Sequence, residues 1–316
     1  MGFLEVSIIV SHLNSGRTIT KCIRSLLNQD YPVELTKIIV VDGGSTDGSI
    51  ELVKRFNAPN LTLLEVPGSS EAEGQMIGIQ NSPSEIIMFT NSDVYVPRDW
   101  ISRHVAWIQQ GYDLVGGKVL WGGDEFTFSW NMLPPKYPQF IQMPGIGLGF
   151  SNCSTTKTML QKVGGLKNLA SHQDTEFSFQ VVRHGGRMIL DPVIEVYHDH
   201  PFGSFMGSMK RAYGYGKNHV IVMRAVYGRI VIGSGYPAMI RIGVPVAEEI
   251  VLAAKSYFLH RAKGEQHGIR IGLWRFIFLA LISKGMGGMI GAFAGTVRRD
   301  VSMASITNLH TQQLRQ

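Results

Sequence analysis

The sequence predicts an α/β fold in which a mostly parallel sheet has helices on both faces. Short apolar runs alternate with segments of helical spacing through the first half of the chain, and this alternation is typical of βαβ units. The apolar runs contain few polar residues, as expected of strands that are buried on both faces. With 316 residues, of which 44% are hydrophobic, the chain is long enough for one large α/β domain and a smaller appendage.

The strands and helices follow from this alternation. Four strands are predicted from the apolar runs, at residues 6–10, 38–41, 61–66 and 85–90. Four helices are predicted beside them: one at residues 18–27, one that continues through Ile50 to Phe56 and stops before Pro59, one at about residues 75–79, and one that ends at Gly111. Ser45, Thr46 or Asp47 can cap the second helix, and Pro97 can occupy the first turn of the fourth.

The charge and cysteine content narrow the partners and the compartment. A net charge of +6 favours anionic partners, and nucleotide phosphates, acidic membrane surfaces and nucleic acid all qualify. Cys22 and Cys153 are the only cysteines, which favours a reducing compartment over a disulfide framework or a metal-binding motif. The chain begins with a strand pattern rather than a basic and apolar leader, so we expect no secretory signal and a domain that faces the cytoplasm.

A carboxylate ends the second predicted strand, in the stretch "IIVVDGGSTDGSI". Ligands of open α/β sheets bind beyond the carboxyl ends of the strands, which is where Asp42 is placed. Glycines such as Gly43 let the backbone pass close to a ligand, and the Asp42 carboxylate can accept hydrogen bonds from a ribose or a base. The alternative is an ordinary βα turn, since Gly, Ser, Thr and Asp all favour turns.

A polar cluster of Asn91, Ser92 and Asp93 follows the fourth predicted strand, in "IIMFTNSDVYVP". In a parallel sheet, Asp42 and Asp93 open into the same crevice. A divalent cation and a diphosphate would complete a binding site there, since Mg²⁺ typically takes one or two carboxylates plus phosphate oxygens. The alternative for Asp93 is a cap of the next helix.

The order of three stretches, "VSIIVSHLNSGRTITKCIRSLLNQDYP", "IIVVDGGSTDGS" and "IIMFTNSD", resembles the nucleotide-binding half of the family 2 glycosyltransferases. The resemblance implies the GT-A fold, inverting transfer from a nucleotide sugar, and a Mn²⁺ or Mg²⁺ cofactor. It implies that Asp42 contacts the base, with Gly43 beside it in the donor site. Asn91, Ser92 and Asp93 correspond to the family's Asp-x-Asp motif, which holds the ribose and the metal ion, with Asn91 in place of the first acid. "VSHLN" replaces the usual Pro-Thr-Tyr-Asn.

The segment "VGGLKNLASHQDTEFSFQVVRHGGRMILDPVIEVYHDHP" is similar to the acceptor side of the same family. This similarity implies that Asp174 is the catalytic base and that His198 lies near the diphosphate and its metal ion. An inverting transfer needs a carboxylate to deprotonate the attacking hydroxyl, and a helix N-terminus helps to keep it ionised. Gln173 and Gln180 replace the family's Glu and Arg. The alternatives are helix capping for Asp174 and a surface or packing role for His198.

The next stretch, "FMGSMKRAYGYGKNHV", places Lys210, Arg211 and Lys217 among tyrosines. These cations can neutralise a departing nucleotide diphosphate or a lipid phosphate, and Lys217 is the candidate for donor binding. The alternative is a solvated helix face.

Residues 220–316 differ in character from residues 1–219, which we predict to be the catalytic domain. From about residue 220 to residue 297, Ile, Val, Ala, Met and Gly predominate with Arg and Lys interspersed. Two stretches of this region are candidate membrane spans, and Lys284 falls near the middle of the second, "IRIGLWRFIFLALISKGMGGMIGAFAGTVRR". A lysine at the centre of a span would cost roughly 2.5–3.5 kcal/mol. Helices that lie on the membrane surface are therefore predicted in preference to a span. The alternatives are a buried subdomain or a dimer interface.

These observations predict a metal-dependent glycosyltransferase at the cytoplasmic face of a membrane. We expect a nucleotide-sugar donor, with a UDP sugar favoured, and a glycan, glycolipid or polyprenyl-linked acceptor. A Rossmann oxidoreductase is disfavoured because "SHLNSGR" rather than Gly-x-Gly-x-x-Gly follows the first strand. A nucleic-acid binder is disfavoured because the cations form no known module. The alternative is a catalytically silent nucleotide-sugar-binding homologue in a glycan-assembly complex, since Asn91, Gln173 and Gln180 depart from the family pattern.

Overall fold

The computed structural model describes residues 2–122, 147–169 and 172–199, and the strands in these ranges form one sheet. The strands are β1 Val6–His12, β2 Thr36–Asp42, β3 Leu61–Glu65, β4 Ile86–Asn91, β5 Val94–Tyr95, β6 Leu114–Gly122, β7 Cys153–Thr156 and β8 Met188–Asp199. The helices are α1 Ile19–Leu27, α2 Ser49–Lys54, α3 Glu71–Gln80, α4 Trp100–Gln109, α5 Lys157–Lys162 and α6 Gln173–Arg183.

Across the sheet the strand order is β3-β2-β1-β4-β7-β6-β8-β5. Strand β1 lies between β2 and β4, and β1 to β4 are all parallel. Strand β7 is antiparallel to β4 and β6, whereas β8 is parallel to β6 and antiparallel to β5. The predicted α/β fold with a mostly parallel sheet is confirmed. Strand β7 was not predicted, because its residues Cys-Ser-Thr-Thr form no apolar run.

Both faces of the central strands are covered, so their side chains belong to two apolar cores. Alternate residues of β1 show the division, since Ile8 and Val10 lie in one core and Ile9 lies in the other. Helix α1 covers the first core with one apolar stripe, formed by Ile19, Cys22, Ile23 and Leu26. Helix α6 covers the second core with Phe177 and Val181. The prediction of helices on both faces is confirmed.

Helix α2 begins later than its predicted caps. It starts at Ser49 after Gly48, which is the N-cap residue and has a left-handed φ of 81°. None of the three predicted caps occupies the N-cap position, but the Asp47 carboxylate accepts a hydrogen bond from the N–H of Ser49, the first helical residue, at 3.1 Å. Ser45 and Thr46 make hydrogen bonds within the loop and to the segment that follows β1.

Two other helix starts also differ from the prediction. Pro97 lies outside α4, which begins at Trp100. Its carbonyl accepts a hydrogen bond from the Trp100 N–H at 3.2 Å. Helix α3 extends beyond the predicted residues 75–79. Ser70 and Glu73 form a reciprocal capping box that starts this helix at Glu71.

None of the helices in the described ranges is both long enough and apolar enough to cross a membrane. The predicted domain boundary at residues 219 and 220, the whole membrane-associated region and Lys217 lie outside the described residues.

Candidate functional site

The carboxyl ends of β2 and β4 lie on either side of the end of β1. His12 is paired with Asp42 of β2, and Ser11 is paired with Asn91 of β4. Because the three strands are parallel, the two polar strand ends open at the same edge of the sheet, as the sequence predicts.

The Asp42 carboxylate is buried and is occupied by its own turn. It accepts hydrogen bonds from the Gly44 N–H at 2.8 Å, from the Ser45 N–H at 3.0 Å and from the Ser45 hydroxyl. Gly44 has a φ of 108°, which favours glycine. The carboxylate therefore fixes the shape of the loop, and its contact with a nucleotide base stays a prediction.

Gly43 holds this loop between two neighbouring backbone segments. Its N–H donates to the His12 carbonyl and its carbonyl accepts from the Gly68 N–H, both at 2.9 Å. A Cβ atom on Gly43 would lie 3.3 Å from the Ser69 carbonyl oxygen, which is tighter than an ordinary contact. A side chain larger than hydrogen would push these segments apart.

His12 is buried beneath the loop and links it to helix α2. Its Nε2 lies 3.0 Å from the Ser49 hydroxyl and 3.6 Å from Asp42 Oδ1. Burial lowers the pKa of His12, while Asp42 and Asp47 oppose that shift. A neutral imidazole here joins the two polar groups without adding a buried charge.

Asp93 and His198 meet across strands that are distant in sequence. Val94 of β5 is paired with His198 of β8, and this register places His198 Nε2 2.9 Å from Asp93 Oδ1. The His198 side chain is almost fully buried, whereas the Asp93 side chain is 17% exposed. One group of the pair is therefore still accessible from solution.

The spacing of this pair is that of an ordinary hydrogen bond or ion pair, with 2.9 Å between His198 Nε2 and Asp93 Oδ1. The same spacing is compatible with a shared divalent cation, because adjacent ligands of an octahedral ion with bonds of about 2.1 Å lie about 3 Å apart. Among the described residues, no group of three or more His, Cys, Asp or Glu side chains is placed to hold a metal ion. Phosphate oxygens of a bound nucleotide are the usual source of further ligands.

Asn91 and Ser92 point to different neighbours. The Asn91 amide N–H donates to the Ser151 hydroxyl at 3.2 Å, and its Oδ1 is a buried acceptor without a hydrogen-bond partner in the described ranges. Ser92 lies with its Oγ 2.6 Å from Ser15 Oγ, and its N–H donates to the Ser11 carbonyl. An unused carboxamide oxygen can accept a hydrogen bond from a hydroxyl.

Asp174 lies in the first turn of α6, as predicted. Its Oδ1 accepts hydrogen bonds from the Thr175 N–H at 2.6 Å and from the Thr175 hydroxyl at 3.3 Å. Burial raises the pKa of the Asp174 carboxyl above its ordinary value, and these hydrogen bonds oppose the shift. A raised pKa makes the carboxylate a better proton acceptor.

The loop before β7 lies close to this carboxylate. A Cβ atom on Gly149 would be 3.8 Å from Asp174 Oδ2, and one on Gly147 would be 2.7 Å from the Thr175 Cα. The backbone at Gly147 therefore allows no side chain without a shift of the helix start. Ser151 of the same loop bonds Asn91, so one loop contacts both predicted site residues.

The two glutamines that depart from the family pattern are both buried. Gln180 donates from its amide to Glu176 Oε1 at 2.7 Å, and Lys167 approaches the same oxygen at 2.5 Å. Lys167 therefore provides the cation for the buried Glu176 carboxylate. Gln173 is the first residue of α6, directly before Asp174.

The loop that follows β1 contacts the loop after β2, Ser92 after β4 and Asp199 at the end of β8, which the sequence analysis did not predict. Asn14 accepts from the Thr46 N–H and donates its own N–H to Ser45, both at 2.8 Å, and the Gly16 N–H donates to Asp47 at 2.8 Å. In the same loop, Ser15 contacts Ser92 and Arg17 contacts Asp199. Asn14 has a φ of 49°, a value that Asn tolerates, so "LNSG" was a recognisable turn signal.

Gln75 is a further buried polar residue that the sequence analysis placed in a helix without assigning it a function. Its amide donates to the Ser11 hydroxyl at 3.3 Å, and its Oε1 has no hydrogen-bond partner among the described residues. Ser11 is paired with Asn91 in the sheet, so Ser11 neighbours two residues whose buried carboxamide oxygens have no hydrogen-bond partner in the described ranges. Groups of this kind need a partner, because an unsatisfied buried acceptor costs about 1–3 kcal/mol.

Comparison with known families identifies a domain in the first half of the chain. Residues 7–163 match the family model described as Glycosyl transferase family 2. The chain carries a family 2 glycosyltransferase domain. The family predicted from the resemblance is thereby confirmed.

Curated relatives of this domain are glycosyltransferases of archaea and bacteria. Glycosyltransferase AglE of Haloferax volcanii is 29% identical over 234 residues, which is 69% of this chain and 73% of AglE. The poly(ribitol-phosphate) beta-N-acetylglucosaminyltransferase TarS of Staphylococcus aureus is 28% identical over 110 residues, 34% of this chain and 19% of TarS. The dolichyl N-acetyl-alpha-D-glucosaminyl phosphate 3-beta-D-2,3-diacetamido-2,3-dideoxy-beta-D-glucuronosyltransferase of Methanococcus voltae is 28% identical over 109 residues, which is 33% of this chain and 34% of the relative.

Solved structures show the same fold. The mannosyltransferase PcManGT from Pyrobaculum calidifontis, in complex with GDP-Man and Mn²⁺, has a TM-score of 0.62 at 18% identity and covers 95% of this chain and 89% of its own. Residues 1–349 of S. aureus TarS, in complex with UDP-GlcNAc, have a TM-score of 0.53 at 16% identity and cover 95% of this chain and 93% of their own. The α/β fold is GT-A-like, as the resemblance implied.

Proposed function

We propose that the protein is an inverting glycosyltransferase that moves a sugar from a nucleotide sugar to a glycan, glycolipid or polyprenyl-linked acceptor. The observation that carries the proposal is the contact between Asp93 and His198, whose facing donor atoms lie 2.9 Å apart. Both residues were assigned to the diphosphate and its metal from separate parts of the sequence. The fold brings them together at the sheet edge where ligands of α/β proteins bind.

The donor side is proposed to use the two strand ends beside β1. The loop shaped by Asp42 and Gly43 would receive the base, and Asn91 Oδ1 and Ser92 would bond the ribose. A UDP sugar is the expected donor, and the structural neighbours were solved with GDP-Man and with UDP-GlcNAc. The comparison therefore makes GDP the competing nucleotide for the binding experiment below.

Asp93 and His198 would hold a Mn²⁺ or Mg²⁺ ion. When bound, such an ion neutralises the negative charge of the leaving nucleotide diphosphate. We propose that Lys217 places a further positive charge beside the same diphosphate. The support for Lys217 comes from the sequence alone. The neighbour PcManGT was solved with Mn²⁺, which makes Mn²⁺ the first ion to test.

Asp174 would remove the proton from the attacking hydroxyl of the acceptor. Its half-buried carboxylate has a raised pKa, which increases its affinity for that proton. The first turn of α6 offers favourable electrostatics for the ionised form, so the side chain can begin the reaction as a base. Attack on the face opposite the leaving diphosphate would invert the anomeric configuration.

We propose that the enzyme works at the cytoplasmic face of a membrane. The support is the basic and apolar composition of residues 220–297 and the dolichyl-linked acceptor in the name of the M. voltae relative. Vesicle flotation with neutral and anionic lipids tests this part, because surface helices with cations should bind anionic vesicles more strongly.

The test of the donor site is calorimetric titration of UDP, GDP and their sugars, each with and without Mn²⁺, on the wild-type protein and on Asp93→Ala. We expect one nucleotide to bind in a Mn²⁺-dependent manner and the variant to lose this dependence. Absence of nucleotide binding under every condition would overturn the proposal.

A catalytically silent nucleotide-sugar-binding protein is the second candidate. It is favoured by the neutral side chains Asn91, Gln173 and Gln180 at positions where the family has charged ones. Asp174→Asn separates the two candidates: the enzyme loses turnover and keeps donor binding, whereas the binding protein shows no functional change.

A further inference from the structure

Asp199 follows His198 and connects three segments of the chain. Its Oδ2 accepts from Arg17 Nη1 at 2.9 Å, its Oδ1 accepts from Arg17 Nη2 at 3.0 Å, and its carbonyl accepts from the same Nη2 at 2.9 Å. The Tyr95 hydroxyl donates to Oδ2 at 3.0 Å. The loop after β1, strand β5 and the end of β8 therefore meet at one carboxylate.

The same residue is also tied to Asp93. The Asp199 N–H donates to the Asp93 carbonyl at 2.8 Å, and the adjacent register pairs Val94 with His198. Tyr95 stacks on Tyr197 with ring centroids 5.8 Å apart. Asp199 thus lies directly beside both members of the Asp93–His198 pair, without being a ligand candidate itself.

The contact between Arg17 and Asp199 fixes the orientation of the Asp199 carboxylate. Arg17 binds the carboxylate through two parallel N–H···O bonds, an arrangement that defines the plane and direction of both groups. Asp199 is buried, and the Arg17 side chain is 56% exposed. A simple surface ion pair would contribute little to the free energy of unfolding. The Arg17–Asp199 pair instead orients a buried carboxylate next to the proposed metal site.

We propose that Asp199, held by Arg17 and Tyr95, is a positioning residue that fixes His198 against Asp93 for binding of a divalent cation and a nucleoside diphosphate. The proposal rests on the proposed function of the Asp93–His198 pair. Residues outside the ligand shell orient metal ligands, and their loss typically lowers metal affinity or activity by about 10- to 100-fold. Release of the carboxylate would let the end of β8, and His198 with it, move relative to Asp93.

The test is titration of Mn²⁺ in the presence of saturating UDP or GDP, whichever binds the wild-type protein. Asp199→Asn should weaken Mn²⁺ binding by about tenfold or more. Glu195→Gln is the matched control, because Glu195 lies on the same strand and pairs with Lys118. It removes the same charge and breaks an ion pair whose carboxylate is more exposed than Asp199, and it should leave Mn²⁺ affinity within about twofold of the wild type.

Arg17→Lys distinguishes positioning from charge. The lysine keeps the positive charge but not the planar pair of donors. If geometry matters, this variant should also weaken Mn²⁺ binding by at least about fivefold, a loss smaller than that from removing Asp199 itself. Tyr95→Phe, which removes one hydrogen bond, should have a smaller effect. Arg17→Lys also preserves a readout if Asp199→Asn does not fold, since Arg17 lies on an exposed loop.

The outcomes separate this inference from the function on which it rests. If the wild-type protein binds no Mn²⁺ with either nucleotide, the metal assignment and the positioning role are both overturned. If the wild type binds Mn²⁺ and Asp199→Asn or Arg17→Lys binds it equally well, only the positioning role is overturned. A loss of affinity in Glu195→Gln as large as in Asp199→Asn would assign the effect to general charge on β8.

Discussion

Two groups of polar side chains lie against the same sheet and differ in charge and in accessibility. The first, which we call the scaffold network, consists of Trp100, His104, Asn152 and Ser154, all fully buried. His104 lies 2.8 Å from the Ser154 hydroxyl and 3.1 Å from Asn152 Oδ1, and the Trp100 N–H donates to the same Asn152 oxygen at 2.8 Å. The Asn152 amide donates to two backbone carbonyls. This network is neutral and its groups satisfy one another.

The second group consists of the proposed site residues Asp93, Asp174 and His198. They carry or can carry charge, and both carboxylates remain partly accessible. This contrast distinguishes structural from functional polar groups in the protein. Buried polar groups with complete hydrogen bonding stabilise one conformation, whereas partly exposed carboxylates such as those of Asp93 and Asp174 are available to a ligand. Variants of the two groups should therefore fail in different ways.

The largest expected effect is on turnover and belongs to the site. Asp174→Asn should lower kcat by about 10²–10⁴-fold, because the amide cannot accept the acceptor's proton. Nucleotide binding should be unchanged, and the free energy of unfolding should be equal or higher, since a partly desolvated charge is removed. Steady-state kinetics, calorimetry and urea unfolding check the three parts. Wild-type turnover would exclude Asp174 as the base.

The scaffold network should show the opposite behaviour. Asn152→Ala should lower the free energy of unfolding by about 3 kcal/mol or more, because it leaves several buried partners unsatisfied. The protein that remains folded should bind nucleotide with wild-type affinity. Asn81→Ala is the control, since the exposed Asn81 amide makes only a local hydrogen bond to the Ile77 carbonyl. Equal urea midpoints for the two variants would contradict the structural role of Asn152.

The scaffold network also predicts sensitivity to acid. Burial lowers the pKa of His104 to about 4, below its ordinary value of 6.5. The folded protein therefore resists protonation of His104. The contribution of neutral His104 to the free energy of unfolding is fully present above pH 6.5 and is lost as the pH falls towards 4, by about 3 kcal/mol in total. Urea unfolding at several pH values checks this, and His104→Gln should have a flatter profile. Identical pH profiles for both proteins would assign acid unfolding to other groups.

The sequence was sufficient for features that depend on chain order. Buried apolar runs predicted the parallel strands, and parallel strands with polar ends predicted that Asp42 and Asp93 share one edge. The role of Asn152 was not predictable, because its partners come from β6, β8 and α4 and no local pattern marks them. Arg17 was missed for the same reason, since its partner Asp199 lies at the opposite end of the described chain.

The smallest expected effect is a shift in the pH dependence of the site itself. The raised pKa of Asp174 means that the folded protein holds this proton more tightly than the unfolded chain does. The carboxylate is ionised, and active as a base, only above its raised pKa, so kcat/KM should fall on the acid side at a pH above the ordinary value for Asp of about 3.9. The free energy of unfolding changes in the opposite direction. It falls as the pH rises from the pKa of Asp174 in the unfolded chain to its pKa in the folded protein, because ionisation of a desolvated carboxyl costs free energy.

The stabilisation of Asp174→Asn relative to the wild type should therefore grow across that same pH interval, and then remain constant. Thermal unfolding of both proteins between pH 4 and pH 8 measures it, in the absence of substrate. A difference in Tm that does not change with pH would show that the Asp174 carboxyl titrates as an ordinary surface acid. It would then belong with neither group, and the base would have to be sought elsewhere at this edge of the sheet.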